Sequence, residues 1–187
     1  MADSHGGDDH AIVTRIAVGD HTALETLYDR YGPRVLAYLL QLTPDRGLAE
    51  EILQDTMLAA WAAAGSFEGR SSMTTWLLGI TRRQAHNQFR RRGLPLVDPS
   101  ALDTVPSQEP ELEATAIAAA TEAELADAVA RLAPIHREVL TLAFTYELSY
   151  REIAEVIGVP IGTVKSRLSA ARRAIRASLK SGEEASQ

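Results

Sequence analysis

The sequence predicts an all-α protein, built as two small helical domains joined by a flexible linker. Three observations carry that expectation. Apolar residues recur at three-to-four spacing through two long blocks, and nowhere alternate in the manner of a half-buried strand. Aromatic residues are 5% of the 187 against 45% hydrophobic, with alanine abundant, a balance that favours packed helices over sheets. Between the blocks, residues 93–112 read "GLPLVDPSALDTVPSQEPEL", with four prolines, several acids, no basic residue and no helical period, the composition of a linker. The domains are therefore expected at 10–92 and 113–180, with solvated tails at 1–9 and 181–187.

In the first block, Ile12, Val13 and Ile16 begin a short helix that Gly19 ends. Asp20 caps a longer one whose Leu24, Leu27, Tyr28, Tyr31, Val35, Tyr38, Leu39 and Leu42 keep helical spacing across an expected kink at Gly32-Pro33. Asp45 starts a third helix with Leu48, Ile52, Leu53, Met57 and Trp61 inward. Ser71 or Ser72 starts a fourth, with Trp76, Leu77, Ile80 and Phe89 inward.

In the second block, Leu125, Val129 and Leu132 precede Pro134, after which Val139, Leu140, Ala143 and Phe144 lead into "LSYREIAEVIGVPIGTVKSRLSAARRAI". Ser149 with Glu152 forms a capping box, Gly158 supplies the positive φ that ends a helix, and Pro160 suits the first turn of the next. Ile153, Ile157, Val164, Leu168, Ala171 and Ile175 make the buried stripe, and Ala154 lets the two helices approach. This is a helix-turn-helix pattern. The opposite face carries Gly162, Ser166, Ser169 and Arg173 flanked by Lys165, Ala170 and Arg176, with no acid on the helix. Small and hydroxylated residues admit a groove while long cations reach bases or phosphates.

A formal net charge of −6 excludes a protein that coats nucleic acid, so DNA contact has to come from local basic patches. The chain has no cysteine, which removes disulfides and thiolate metal sites and is consistent with a cytoplasmic location. No apolar run approaches a membrane span of ~20 residues, so no membrane insertion is expected. The scattered histidines have no metal-ligand spacing, with His5 and His10 assigned to the N-terminal tail. No nucleophile motif or phosphate loop appears, so neither catalysis nor a cofactor is expected.

Two further constellations stand in the first block. "LAEEILQDTMLAAW" places Glu51, Gln54 and Asp55 side by side, a pattern that by spacing alone is an ordinary solvated face. "SSMTTWLLGITRRQAHNQFRRR" gathers Arg82, Arg83, Arg90, Arg91 and Arg92 beside Trp76, His86, Asn87 and Gln88. Complementing a helix dipole needs fewer cations than this, whereas holding phosphates and unpaired bases uses both cations and aromatic or amide groups.

Taken in order, "AEEILQDTMLAAW", "FEGRSSMTTWLLGITRRQAHNQFRRR" and the helix-turn-helix segment resemble bacterial RNA polymerase sigma factors of the extracytoplasmic-function type, over about Ala11 to Leu179. The resemblance implies region two at 10–92 and region four at 113–180. Region two would bind core RNA polymerase through Glu51, Gln54 and Asp55. It would open the minus-ten element with Arg70, Ser71, Met73, Trp76, Arg82, Arg83, Asn87 and Arg90, the 67–73 loop receiving a flipped base. Region four would read the minus-thirty-five element through Thr163, Lys165, Ser166, Arg167, Ser169, Arg173 and Arg176. The partners implied are core polymerase, promoter DNA and an anti-sigma factor. Arg83 and Asn87 stand where the family usually has asparagine and aspartate, which implies an unusual minus-ten preference. A stand-alone LuxR-like regulator is the competing expectation, since "REVLTLAFTYELSYREIAEVIGVPIGTVKSRL" loosely fits that pattern too.

Overall fold

The computed structural model describes residues 6–94 and 121–185, and every described element is helical. The expected linker and the first part of the second block lie almost wholly outside the described residues. The chain divides into two compact units, the first formed mainly by residues before that gap and the second mainly by residues after it.

The first unit holds α1 (Gly6–Ala17), α2 (His21–Leu42), α3 (Arg46–Ala63), a 3-10 turn at Ala64–Ser66, and α4 (Met73–Arg91). Each helix start is written in the residue before it. Asp20 Oδ1 accepts from the Thr22 backbone N–H at 2.9 Å, Asp45 Oδ1 from Leu48 N–H at 3.1 Å, and Ser72 Oγ from Thr75 N–H at 3.1 Å. These side chains satisfy donors that a helix start leaves orphaned. Gly19, at φ 88, makes the corner between α1 and α2, and Arg15 closes it by donating to Asp20 at 2.8 Å. Ile12, Ile16, Leu27, Val35, Leu39, Ile52, Leu77 and Ile80 are among the buried residues of one core that all four helices share.

One expectation for this unit is corrected. The N-terminal tail was expected through residue 9, yet α1 begins at Gly6 and Asp9 is buried. Its carboxylate accepts from the Tyr31 hydroxyl at 2.6 Å and from Arg30 at 3.0 Å, which holds Arg30 above the ordinary arginine range, and this pins the first turn to α2. At Gly32-Pro33, where a kink is expected, α2 runs on as one helix with Pro33 inside it. A proline there costs about 3 kcal/mol. Burial of Tyr31, Val35, Tyr38 and Leu39 on both sides of it offsets that cost.

The second unit holds α5 (Glu122–Ala130), α6 (Pro134–Leu140), a π-helical turn at Thr141–Thr145, α7 (Tyr150–Ile157) and α8 (Ile161–Ala185). A capping box of Thr121 and Glu124, missed in the sequence, starts α5. The expected box of Ser149 and Glu152 starts α7, with Ser149 N–H donating to Glu152 Oε2 at 2.9 Å and Glu152 N–H to Ser149 Oγ at 3.3 Å. Gly158 ends α7 at φ 68, ψ 37, the left-handed cap expected of it. Pro160 lies one position earlier than expected, its carbonyl accepting from Thr163 and Val164 as α8 begins.

The π turn was not foreseen, and it changes which residues face inward. The Tyr146 N–H donates to the carbonyl five residues back, at Thr141, so the chain advances by one extra residue. Leu142 and Tyr146 are buried, whereas Phe144 is 64% exposed. Helix α8 continues to Ala185, past the point where the C-terminal tail was expected to begin.

Candidate functional site

Three surfaces come from these elements. On α3, Glu51 and Gln54 are exposed and Asp55 is half-buried. Leu58, three residues after Asp55 and 66% exposed, extends the same face with an apolar group the sequence reading missed. An exposed leucine at i+7 from Glu51 was its available signal.

Helix α4 packs beside α3, and its far end meets that acidic face. The nearly buried Gln88 side-chain N–H₂ donates to Glu51 Oε1 at 3.1 Å and to Asp55 Oδ2 at 2.8 Å. Arg92 adds an ion pair to Glu51. Two constellations that are far apart in sequence are thus one continuous surface. Arg83, Arg90 and Arg91 are exposed along α4, with Arg82 and Asn87 half-buried.

The loop before α4 combines aromatic and cationic groups. Phe67 and Trp76, both half-buried, meet at 4.9 Å between centroids with planes tilted by 50°. Gly69 takes φ 67 to turn the loop, Arg70 is exposed and paired to Glu68 at 2.9 Å, and Ser71 is half-buried. Met73 is corrected: at 2% exposure it is the first inward residue of α4, because the Ser72 cap sets the helical phase so that its thioether joins the core. It therefore leaves the set of DNA-facing residues.

On α8, Lys165 and Arg173 are exposed, and Thr163, Ser169 and Arg176 are half-buried. Arg172, exposed beside Arg173 and at i+7 from Lys165, belongs to the same cationic row and was missed. Ser166 is 9% exposed and donates its hydroxyl to the Thr163 carbonyl at 3.0 Å. Arg167 is corrected outright: its side chain is fully buried. It stands three residues after Val164 and four before Ala171, on the inward stripe, so helical phase puts it in the core despite its charge. A guanidinium so enclosed supports the domain and does not meet DNA. Among the described residues no group of three or more His, Asp or Glu could hold a metal ion.

Helical domains of this kind, one with an acidic face against an arginine-rich helix and the other a helix-turn-helix with a cationic row, define a DNA-reading protein that also presents a protein-binding surface. Residues 27–94 match the family model for Sigma-70 region 2, and residues 122–175 match that for Sigma-70 region 4. Over 180 residues the chain is 31% identical to the ECF RNA polymerase sigma factor RpoE of Cereibacter sphaeroides, covering 94% of this chain and 98% of that one. The chain belongs to the extracytoplasmic-function family of RNA polymerase sigma factors, which are transcription initiation factors.

Among solved structures, the sigma factor RpoE of Bartonella quintana, in complex with the anti-sigma factor NepR, is similar at a TM-score of 0.59 and 28% identity, over 83% of this chain and 96% of that one. CnrH, solved with the cytosolic domain of CnrY, shares the fold at a TM-score of 0.63 and 22% identity, over 92% and 97% of the two chains. A LuxR-like regulator has no counterpart to the region 2 match, so that alternative is not favoured. No described helix is long and apolar enough to cross a membrane.

Proposed function

We propose that the chain brings core RNA polymerase to promoters through three surfaces, with 10–92 acting as region two, 113–180 as region four and 93–112 as the linker between them. Glu51, Gln54, Asp55 and Leu58 form the polymerase-binding face, meeting a basic coiled coil of the largest subunit. Arg70, Ser71, Trp76, Arg82, Arg83, Asn87 and Arg90 hold the opened minus-ten strand, and Thr163, Lys165, Ser166, Ser169, Arg172, Arg173 and Arg176 meet the minus-thirty-five duplex. The observation that carries this reading is the double hydrogen bond from Gln88 to Glu51 and Asp55. It makes an acidic face and a cationic helix immediate neighbours on one small domain. A factor that grips a basic protein element while holding nucleic acid needs faces of opposite sign, and their adjacency lets one small domain offer both.

The chain acts by binding and does not catalyse, and it works in the cytoplasm where polymerase and chromosome meet. Its similarity to a sigma factor solved with an anti-sigma factor supports control by a protein inhibitor that competes with polymerase. Adding the purified chain to core polymerase on a library of promoter DNA tests the reading. Specific transcripts starting downstream of a shared pair of elements are expected. Transcription no different from core polymerase alone would sink it.

A further inference from the structure

His10 lies on α1, ahead of the residues that match the region 2 family model. Its ring centroid is 6.4 Å from that of Phe67, which in turn meets Trp76 at 4.9 Å, so three rings stand in a row beside the 67–73 loop. A Cβ built on Gly69 would come 3.7 Å from His10 Nδ1, which sets the imidazole against the loop backbone itself. The position of His10 is fixed from behind. The adjacent Asp9 is buried and bonded to Tyr31 and Arg30, so the first turn of α1 cannot swing away without breaking that network.

His10 itself is exposed, while Phe67 and Trp76 are half-buried and Arg70 is exposed on the loop. Two aromatic faces offer stacking to any base, and Arg70, its guanidinium engaged by Glu68 at 2.9 Å, offers mainly charge to a phosphate. An imidazole carries both a donor and an acceptor on its ring edge, where Phe67 has neither and the Trp76 indole only a donor, so His10 is the group in this row best equipped to read a base edge. An exposed ring tilted by 40° at 6.4 Å adds little packing, so its placement is poorly explained as core.

We propose that His10 is a wall of the pocket that receives an extruded base of the unpaired strand, and that its ring edge sets which base is preferred there. The inference rests on the reading of the 67–73 loop as the base-receiving loop and adds to it a residue from α1.

The test uses holoenzyme assembled from core polymerase and the full chain. It is titrated with fork-junction DNA carrying each of the four bases in turn at every unpaired minus-ten position. His10→Ala should reduce discrimination at one position by about fivefold or more, the low end for a good base-edge contact. Other positions and core polymerase affinity should stay as they are. His10→Phe keeps the ring but removes donor and acceptor, and should lose the same discrimination; it decides the matter if His10→Ala lowers the melting temperature. Phe67→Ala tests the pocket itself. If Phe67→Ala alters discrimination while neither His10 variant does, His10 is not a reader and the proposal is overturned, though the loop remains a pocket. If none of the three does, the loop receives no base and both readings fall.

Discussion

Gln88 and Asp55, 33 residues apart in sequence, are joined by a hydrogen bond of 2.8 Å, and the same amide reaches Glu51 at 3.1 Å. One nearly buried side chain thereby fixes the orientation of two carboxylates on the neighbouring helix. Replacing it by leucine leaves both carboxylates without that donor and facing one another. Gln88→Leu is expected to lower the unfolding free energy by about 1 kcal/mol, the net worth of a hydrogen bond whose acceptors water can reach. It should also weaken core polymerase binding, because the two carboxylates are no longer held in one orientation. Urea melts and competition for core polymerase measure the two effects.

Reversing the charge on that face is a more direct probe. If Asp55 meets a cation in a closed interface, Asp55→Arg costs on the order of 2–5 kcal/mol of polymerase affinity. Undiminished affinity, with the circular dichroism spectrum intact, would remove the acidic face from the polymerase-binding surface.

Position decides what the cations of α8 do. Arg167 is fully buried, so Arg167→Ala leaves a cavity and loses the packing of its long stem, and should destabilise the second domain by about 2–4 kcal/mol. Lys165 and Arg173 are exposed, and their alanine variants should keep stability within about 0.5 kcal/mol. For every phosphate that a variant no longer neutralises, the slope of log affinity against log salt should flatten by about 0.9. Thermal melts and DNA titrations at several salt concentrations separate the two behaviours. A salt slope unchanged in a variant lacking Lys165, Arg172 and Arg173 together would remove this row from the DNA-binding surface.

Glu147 occupies φ 55 just after the π turn. A left-handed conformation costs an L-residue roughly 1–2 kcal/mol, whereas glycine adopts it freely. Glu147→Gly is expected to raise the melting temperature, by an amount equivalent to about 1 kcal/mol or less once glycine's greater unfolded-state entropy is subtracted. A fall in melting temperature would mean that the carboxylate's own interactions outweigh the strain.

Acid stability should carry the signature of Asp20. The Thr22 hydroxyl, and after it Arg15, holds this carboxyl at about 2 in place of its ordinary 3.8. A group whose pKa is lower folded than unfolded contributes its full stabilisation above the unfolded value and loses it as pH falls through the folded one. The melting temperature should therefore decline between about pH 4 and pH 2, and Asp20→Asn, which can still cap α2, should show a shallower decline there. Identical slopes in the two proteins would count against it.

The features legible in the chain are local ones. Asp20, Asp45, Ser149 with Glu152, and Gly158 act within four residues of themselves, so their types and spacings suffice to mark helix ends. Stripes such as Val164, Leu168, Ala171 and Ile175 needed only the helical period. The misread residues failed for different reasons: Arg167 is charged on an inward position, and Met73 follows a cap that turns it into the core. The π turn, which leaves Phe144 exposed, shifts the register. Composition gave no sign of that shift, because an extra residue per turn changes hydrogen bonding and leaves the residue types as they were.

The sequence by itself determined the class: helices, their caps, a helix-turn-helix and two clusters of opposite charge. It did so because propensity, capping and amphipathic period are short-range properties of the chain. Only the tertiary structure decided that Gln88 and Arg92 meet Glu51, that Asp9 ties α1 to Tyr31 and Arg30, and that His10 stands beside Phe67 and Gly69. Each of these joins residues more than twenty apart, or different helices. Such pairings form only once a shared core has fixed how helices pack, which no local spacing encodes.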